Sequence, residues 1–454
     1  MWAYEIAKTC KGTLFNCPWD ICVSKIVNND AECEENCCFA SVGGEEYIHS
    51  AIKNGASLII SEQRTVLETP CITVKDVRKA LLDIAEYYRL KKFRKVICVT
   101  GSAGKTTVKD LIYAALSCGH SVLKTKGNKN NLLGLPLTVL SGGNEDIAVL
   151  EAGISEKGEM SRISRVARPD IAVITNIGSM HSAGLGTREE IAAEKLKILE
   201  CASEDCITVI PFDEPLLIDA VKRRITVGIG NYQADLSVEN IRFLENGSLF
   251  DIKKRDSYTI KDIFLPLIGE HFCYDGALAY AAAELCGASD SEIRQAFSEY
   301  KSSFGRQNMI YKDGALIVND AYNCGPESAL ASIKAFDNTC NVKGIKRRVA
   351  VLGDMLELGK ISESMHISLG KAVAFSGIDT LIALGEYSQC VALGAMIGGM
   401  DKDRIYTFSN GERTLASRLV KELSTYDTAL LFKGSRKMKM EELIPFDVSG
   451  EMKI

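Results

Sequence analysis

Short apolar runs alternate with amphipathic stretches along most of the chain. VICVT (96–100), SVLKT (121–125), IAVLEAG (147–153), DIAVITNIG (170–178) and ITVI (207–210) are rich in Val and Ile and read as strands. After the first run, Val108, Leu111, Ile112, Ala115 and Leu116 recur at the spacing of one helix face. This alternation predicts a parallel sheet wrapped by helices. Residues 234–252 break the pattern and predict antiparallel strands with Asn246-Gly247 at the hairpin turn. From Arg306 the α/β pattern resumes. RRVAVLGDM, IDTLIALGE, RIYTFSN and DTALLFKGS each open a unit, which predicts a second, smaller doubly wound domain. Residues 1–92 mix short strands and helices, and AIKNGASLIIS (51–61) reads as a helix end, a glycine stop and a buried strand. The basic stretch RLKKFRK (89–95) marks a boundary and reads as a solvated helix end plus linker. The expected organisation is α/β with three domains, over residues 1–92, 93–305 and 306–454.

Composition narrows the function classes. The chain has 454 residues, enough for several cores, and its net charge of −5 argues against general nucleic-acid binding. No run of about 18 apolar residues predicts a transmembrane helix. MWAYEIAKTCKG at the start lacks the apolar core of a signal peptide, so a cytoplasmic location is expected. The 16 cysteines form no C-x-x-C pair and read as small hydrophobes in a reducing compartment rather than as zinc or disulfide sites.

Candidate chemistry centres on the first strand. It runs straight into Gly101, Ser102, Ala103, Gly104, Lys105, Thr106 and Thr107, and the amphipathic helix follows. Glycines let backbone N–H groups curl around phosphate oxygens, and the helix N-terminus adds its partial positive charge. Lys105 is placed for the β- and γ-phosphates, and the Thr106 hydroxyl for Mg²⁺. Val99 stands where the common GxxxxGK[ST] pattern has its first glycine, so the loop is a variant, GxxGKTT. Glu151 ends a later strand and falls on the sheet edge where ligands bind. It also fits an ordinary strand-end carboxylate. TNIGSMH supplies Asn176 and His181 after the next strand. Asn128, Asn130 and Asn131 form a polar loop suited to a substrate or nucleotide, or to simple turn chemistry.

GSAGKTT, GNKNNLLGLPLT, LEAG, TNIGSMH, GRQN, NDAYNCGPES, LGDMLELG and FKGSRKMKME occur in that order. Together they resemble the Mur ligase family, most closely its D-alanyl-D-alanine-adding branch, from about Val96 onward. The resemblance implies a small N-terminal domain for a UDP-sugar-type acyl donor and a central P-loop ATPase domain. It also implies a Rossmann-like C-terminal domain that closes over the site with the amine. The implied activity is ATP-dependent amide-bond formation through an acyl phosphate, with ATP and Mg²⁺ as cofactors. The implied setting is a cytoplasmic monomer acting on small molecules in peptidoglycan synthesis. Lys105, His181 and Lys195 are then catalytic. Thr106 and Glu151 match a first Mg²⁺ site and His181 a second, with Lys195 contributing as a carbamate. Lys197 is the alternative if the register shifts by two. Arg306 matches an arginine that reaches ATP phosphate. Asp320 and Tyr322 match a nucleoside-contacting segment, and Asp275 lies in the adenine-side element. Ser24, Asn128, Asn130, Asn131, Asp354, Glu357, Lys433, Ser435 and Arg436 fall on the acyl-donor and amine sides.

Departures from the family pattern collect at recognition positions. CVSK (22–25) and FASVGGEEYIHSA (39–51) lack the expected D-G-H element. SEKGE (155–159) replaces N-H-P-G-E. HFCYD puts Phe272 and Asp275 in place of asparagines, YNCGP replaces Y-N-A-N-P, and Asn319-Asp320 replaces a D-D pair. Two other readings therefore stand beside the first. One is an amide ligase on a different acyl donor, of pseudomurein or specialised-metabolite type. The other is a non-catalytic nucleotide-binding subunit, which the intact Lys105, Thr106, Glu151, His181 and Lys195 disfavour.

Overall fold

The computed structural model describes residues 1–18, 21–64 and 68–446. Three sheets follow one another along the chain. In the first, the spatial order is Thr13–Phe15, Cys71–Thr73, Ala56–Ser61, Cys37–Ala40, Lys25–Val27, with only the first pair antiparallel. The glycine stop expected before its middle strand is Gly55, at φ +111°.

The second sheet has nine strands. Its order is Thr259–Leu265, Gly247–Lys254, Leu236–Leu244, Arg224–Ile229, Ile207–Pro211, Ile171–Ile174, Lys95–Thr100, Ile147–Glu151, Val122–Lys124. Every pairing from Val122–Lys124 to Leu236–Leu244 is parallel, and the last two are antiparallel. All five apolar runs expected as strands lie in this sheet. Leu244 pairs with Gly247, so the hairpin turn is Glu245-Asn246, one residue earlier than the sequence suggests. The third sheet orders Asn308–Lys312, Ala315–Asn319, Thr428–Lys433, Arg347–Gly353, Thr380–Leu384, Ile405–Phe408, parallel apart from its first hairpin.

Packing ties the first two sheets together. Leu58, Ile60, Ile72 and Ile84 share one continuous apolar cluster with Val96, Cys98, Leu150 and Ile174 from one face of the central sheet. Helix Val77–Lys92 lies between them, with Asp76 capping it by accepting from the Lys79 N–H at 2.9 Å. Here one expectation is corrected. Arg89 is not a solvated helix-end residue; it is 6% exposed. Its guanidinium donates to the carbonyls of Phe93 at 3.1 Å, Ala167 at 2.9 Å and Arg168 at 2.7 Å, and to the Asp170 carboxylate at 2.7 Å. The side chain sews the helix to the central sheet by satisfying main-chain acceptors that burial would otherwise leave unpaired.

On the other sheet face, helix Lys105–Leu116 buries the predicted stripe against helix Glu270–Leu285. Cutting Leu111 to Ala there costs about 2–5 kcal/mol, transfer and cavity terms together. Among the cysteines, only Cys22 and Cys118 are exposed. No helix among the described residues is long and apolar enough to cross a membrane.

Candidate active site

Three adjacent strands, Lys95–Thr100, Ile147–Glu151 and Ile171–Ile174, end at the same sheet edge, and the site is built on those ends. The first runs into the glycine loop. At Gly101, φ is +142° and an added Cβ would lie 1.9 Å from Thr175 Oγ1. At Gly104, φ is +78° and a Cβ would lie 2.5 Å from Asp275 Oδ1. Both positions require glycine, for conformation and for space. The N–H groups of Ser102 and Ala103 converge on Asn176 Oδ1 at 3.0 and 2.9 Å, which shows that the loop can aim two donors at one oxygen. Lys105 Nζ donates to the Gly101 and Ser102 carbonyls at 2.9 and 3.3 Å.

Carboxylate and hydroxyl groups meet beside the loop. The Thr106 hydroxyl donates to Glu151 Oε2 at 2.9 Å, and Asn130 Nδ2 donates to Glu151 Oε1 at 2.8 Å. Glu151 is buried, so both oxygens are held in place. Lys195 reaches beneath the loop, where its Nζ donates to the Gly101 carbonyl at 2.9 Å, the same oxygen that Lys105 uses. Lys197 instead pairs with Glu194 at 2.7 Å, away from the loop.

The C-terminal unit supplies the opposite wall. Arg306 Nη2 donates to the Thr106 hydroxyl at 2.8 Å, and its guanidinium stacks 4.5 Å above the Tyr322 ring. Lys433 pairs with Asp320 at 2.7 Å. Glu357 Oε2 lies 2.5 Å from His181 Nδ1, and Glu327 Oε1 accepts from the Ser179 N–H at 2.7 Å. These contacts enclose a cleft of about 700 Å³.

Burial dominates the titration of this cleft. It pushes the Lys195 amine well below its ordinary range, and the nearby Lys105 charge adds to that. Lys105 is lowered by burial, with Glu151 opposing and Arg306 adding. Burial raises the Asp275 carboxyl well above its usual range, with Arg306 opposing. It holds His271 down at about 4. For His181, burial lowers the imidazole, Lys105 adds to the effect and Glu357 opposes it.

The cleft gathers most of the sequence-selected residues. Ser102 through Thr107, Asn128, Asn130, Asn131, Glu151, His181, Asp275, Arg306, Asp320, Tyr322, Glu357, Lys433 and Arg436 line it. Gly101 and Lys195 lie directly underneath, joined by their hydrogen bond. Three residues are not brought to it. The Ser24 hydroxyl donates to the Asn36 carbonyl at 3.1 Å in the first sheet's unit. Asp354 is buried and accepts from the Glu386 and Tyr387 N–H groups at 2.8 and 3.1 Å. Ser435 is buried and donates to the Cys324 carbonyl at 3.3 Å. Sequence reasoning passed over Glu327 and His271, which also line the cleft. His271 opens the HFCYD element and was legible as a polar residue at a helix start. Nothing local signals that Glu327 reaches across to Ser179.

The chain matches known proteins along most of its length. Residues 99–283 match the Mur ligase middle domain, and residues 305–436 match the Mur ligase glutamate ligase domain. The chain belongs to the Mur ligase family. It is 36% identical to the UDP-N-acetylmuramoyl-tripeptide–D-alanyl-D-alanine ligase of Bacillus subtilis, over 97% of this chain and 96% of that protein. Coverage this complete carries the likeness into the N-terminal unit, where neither domain match reaches. The crystal structure of MurF from Acinetobacter baumannii superposes with a TM-score of 0.86 at 25% identity, covering 99% of this chain and 98% of that one. MurF of Thermotoga maritima, solved in complex with ADP, superposes with a TM-score of 0.80 at 29% identity, over 95% and 97% of the two chains. These neighbours carry the three-domain architecture expected from the sequence.

Proposed function

We propose that this Mur ligase joins D-alanyl-D-alanine to a UDP-N-acetylmuramoyl tripeptide at the expense of ATP, in peptidoglycan precursor synthesis. The observation that carries the reading is the cleft itself, where a phosphate loop faces cationic side chains from the C-terminal unit. The likeness to the Bacillus subtilis ligase, along nearly the whole chain, supports the choice of substrates.

The chemistry follows from placement. The glycine loop and the helix N-terminus receive the phosphates. Lys105 and Arg306 flank the loop and offset the negative charge that builds on the transferring phosphoryl group. The tripeptide carboxylate attacks the γ-phosphorus, ADP leaves, and an acyl phosphate forms. The dipeptide amine then attacks the acyl carbon, giving a tetrahedral intermediate. Its collapse expels phosphate and the nitrogen loses a proton, which leaves the amide. Asn128, Asn130, Asn131, Lys433 and Arg436 offer donors for the polar and anionic parts of the two substrates.

The residues present fit Mg²⁺. Thr106 and Glu151 provide hard oxygen donors beside the loop, and His181 lines the same cleft. Lys195 suits a carbamate because burial and the nearby Lys105 charge lower its amine pKa, which favours the uncharged form that adds to CO₂. When bound, the ion would neutralise phosphate charge and orient the γ-phosphoryl group. The enzyme works as a monomer in the cytoplasm, where ATP and UDP-linked precursors are made.

ADP release with mass detection of product tests the reading. The enzyme is offered UDP-N-acetylmuramoyl tripeptides, in lysine and diaminopimelate forms, with D-alanyl-D-alanine. The expected product is the pentapeptide. No product from a folded, nucleotide-binding enzyme overturns the substrate assignment and directs attention to another acyl donor.

A further inference from the structure

We infer that Glu357 is a positioning residue that fixes the tautomer and direction of the His181 imidazole. The pair spans the two units, with Glu357 Oε2 2.5 Å from His181 Nδ1. Both residues occupy the left-handed region without being glycine, at φ +65° and +63°. Backbone held this way on both sides of one contact is a mark of functional sites. The main chains lock as well. The Ala183 N–H donates to the Glu357 carbonyl at 3.1 Å, and the Ser182 hydroxyl donates to the Leu358 carbonyl at 3.0 Å.

The loop that carries Glu357 is braced residue by residue. Asp354 is held by the Glu386 and Tyr387 N–H groups. The Met355 N–H donates to His366 Nε2 at 2.9 Å, and the Leu356 N–H donates to the Ser435 hydroxyl at 2.8 Å. Asp354, His366 and Ser435 are all buried. Their place in the fold is therefore to aim Glu357, which explains why Asp354 and Ser435 sit behind the cleft rather than in it.

Chemistry then dictates the proton. An ionised carboxylate only accepts, so His181 Nδ1 must carry the hydrogen, and the Nε2 lone pair is left for the cleft. This is the usual relation between a ligating imidazole and the carboxylate behind it. It differs here in that the carboxylate and the imidazole come from different units of the chain. The catalytic consequence rests on the ligase reading above, whereas the tautomer does not.

The experiment uses the full ¹⁵N-labelled chain without nucleotide, and long-range proton–nitrogen correlation of its imidazoles. His181 is assigned by its loss in His181→Ala. In the wild type, Nδ1 should carry the proton. In Glu357→Ala the signals should move toward the Nε2–H form that free imidazole side chains favour. Glu357→Gln keeps an accepting oxygen and should stay near wild type. In the ligase assay, Glu357→Ala should lower kcat by about 10–100-fold with the KM for ATP nearly unchanged, and Glu357→Gln should recover most of it. The Glu357 side chain is 50% exposed, so both variants should fold. Unchanged His181 nitrogen shifts in Glu357→Ala overturn the proposal, as does a Gln variant as damaged as the Ala variant. A tautomer change with kcat intact overturns the link to the reaction. If no substrate is turned over at all, the ligase reading fails while the tautomer arm still decides this one.

Discussion

Arg306 donates to the Thr106 hydroxyl at 2.8 Å across 200 residues of sequence, and the Thr106 hydroxyl in turn donates to Glu151 at 2.9 Å. The guanidinium thus closes the phosphate loop from the C-terminal side while its central carbon sits 4.5 Å from the centroid of the Tyr322 ring. Arg306→Lys keeps the charge but loses both the guanidinium's contact with the Tyr322 ring and the fork of donors. The expected result is a fall in kcat on the order of 10²-fold, with melting temperature little changed. Steady-state ADP release beside a thermal melt separates the two. An Arg306→Lys enzyme at full rate would show that only charge is used.

Lys105→Ala removes a side-chain nitrogen that donates to two loop carbonyls, those of Gly101 and Ser102. The backbone cradle survives because its donors come from the main chain. Turnover should drop by a factor on the order of 10³ or more, with circular dichroism unchanged. Unchanged product formation would sink the phosphate-loop assignment.

What the sequence made legible was local. A strand, a glycine turn and an amphipathic helix are written within residues 96–116, so the phosphate loop and the buried stripe behind it could be read directly. Glu151 was legible as a strand end because burial on both faces makes parallel strands continuous apolar runs. The contacts across units were not legible. Nothing near Glu327 or Glu357 indicates that each reaches a loop more than a hundred residues earlier. Arg89 shows the same limit in the opposite sense. A basic run normally marks a solvated surface, but tertiary packing turned this one arginine inward onto three carbonyls. Asp354 and Ser435 sit in motifs read as substrate-facing, and their hydrogen bonds turn them to bracing the loop instead.

Lys195→Ala should abolish ligation. Its amine shares the Gly101 carbonyl with Lys105, and two ammonium groups so close favour one of them staying neutral. A carbamate on Lys195 would replace that amine by an anion. The variant should therefore regain part of its rate with a short carboxylic acid such as acetate or formate in the assay. Titrating these acids against ADP release checks this, and full activity without them removes the carbamate reading.

Arg89→Met tests the seam between the first two sheets. The substitution keeps an apolar stem but strands the buried Phe93 and Ala167 carbonyls, the half-buried Arg168 carbonyl and the Asp170 carboxylate. Stability should fall by about 3 kcal/mol. Urea denaturation followed by fluorescence measures it. A loss under about 0.5 kcal/mol, the range of ordinary surface substitutions, would mean that water replaces the guanidinium there.

Asp275 supplies a pH signature. Its carboxyl is buried beside Gly104, and burial raises its pKa well above the ordinary 3.8. The unfolded chain gives up this proton near the ordinary value, and the folded chain keeps it. Over the interval between the two, the folded state binds more protons, so the group's contribution is full below about 3.8 and declines as pH rises. The limiting slope for one proton is about 1.4 kcal/mol per pH unit. Asp275→Asn keeps the shape and has no proton to lose. The variant should match the wild type near pH 4 and become progressively the more stable of the two toward pH 8. Calorimetric melts of both proteins across that range give the comparison. A difference independent of pH would mean that Asp275 is ionised in the folded protein, held as a carboxylate by Arg306.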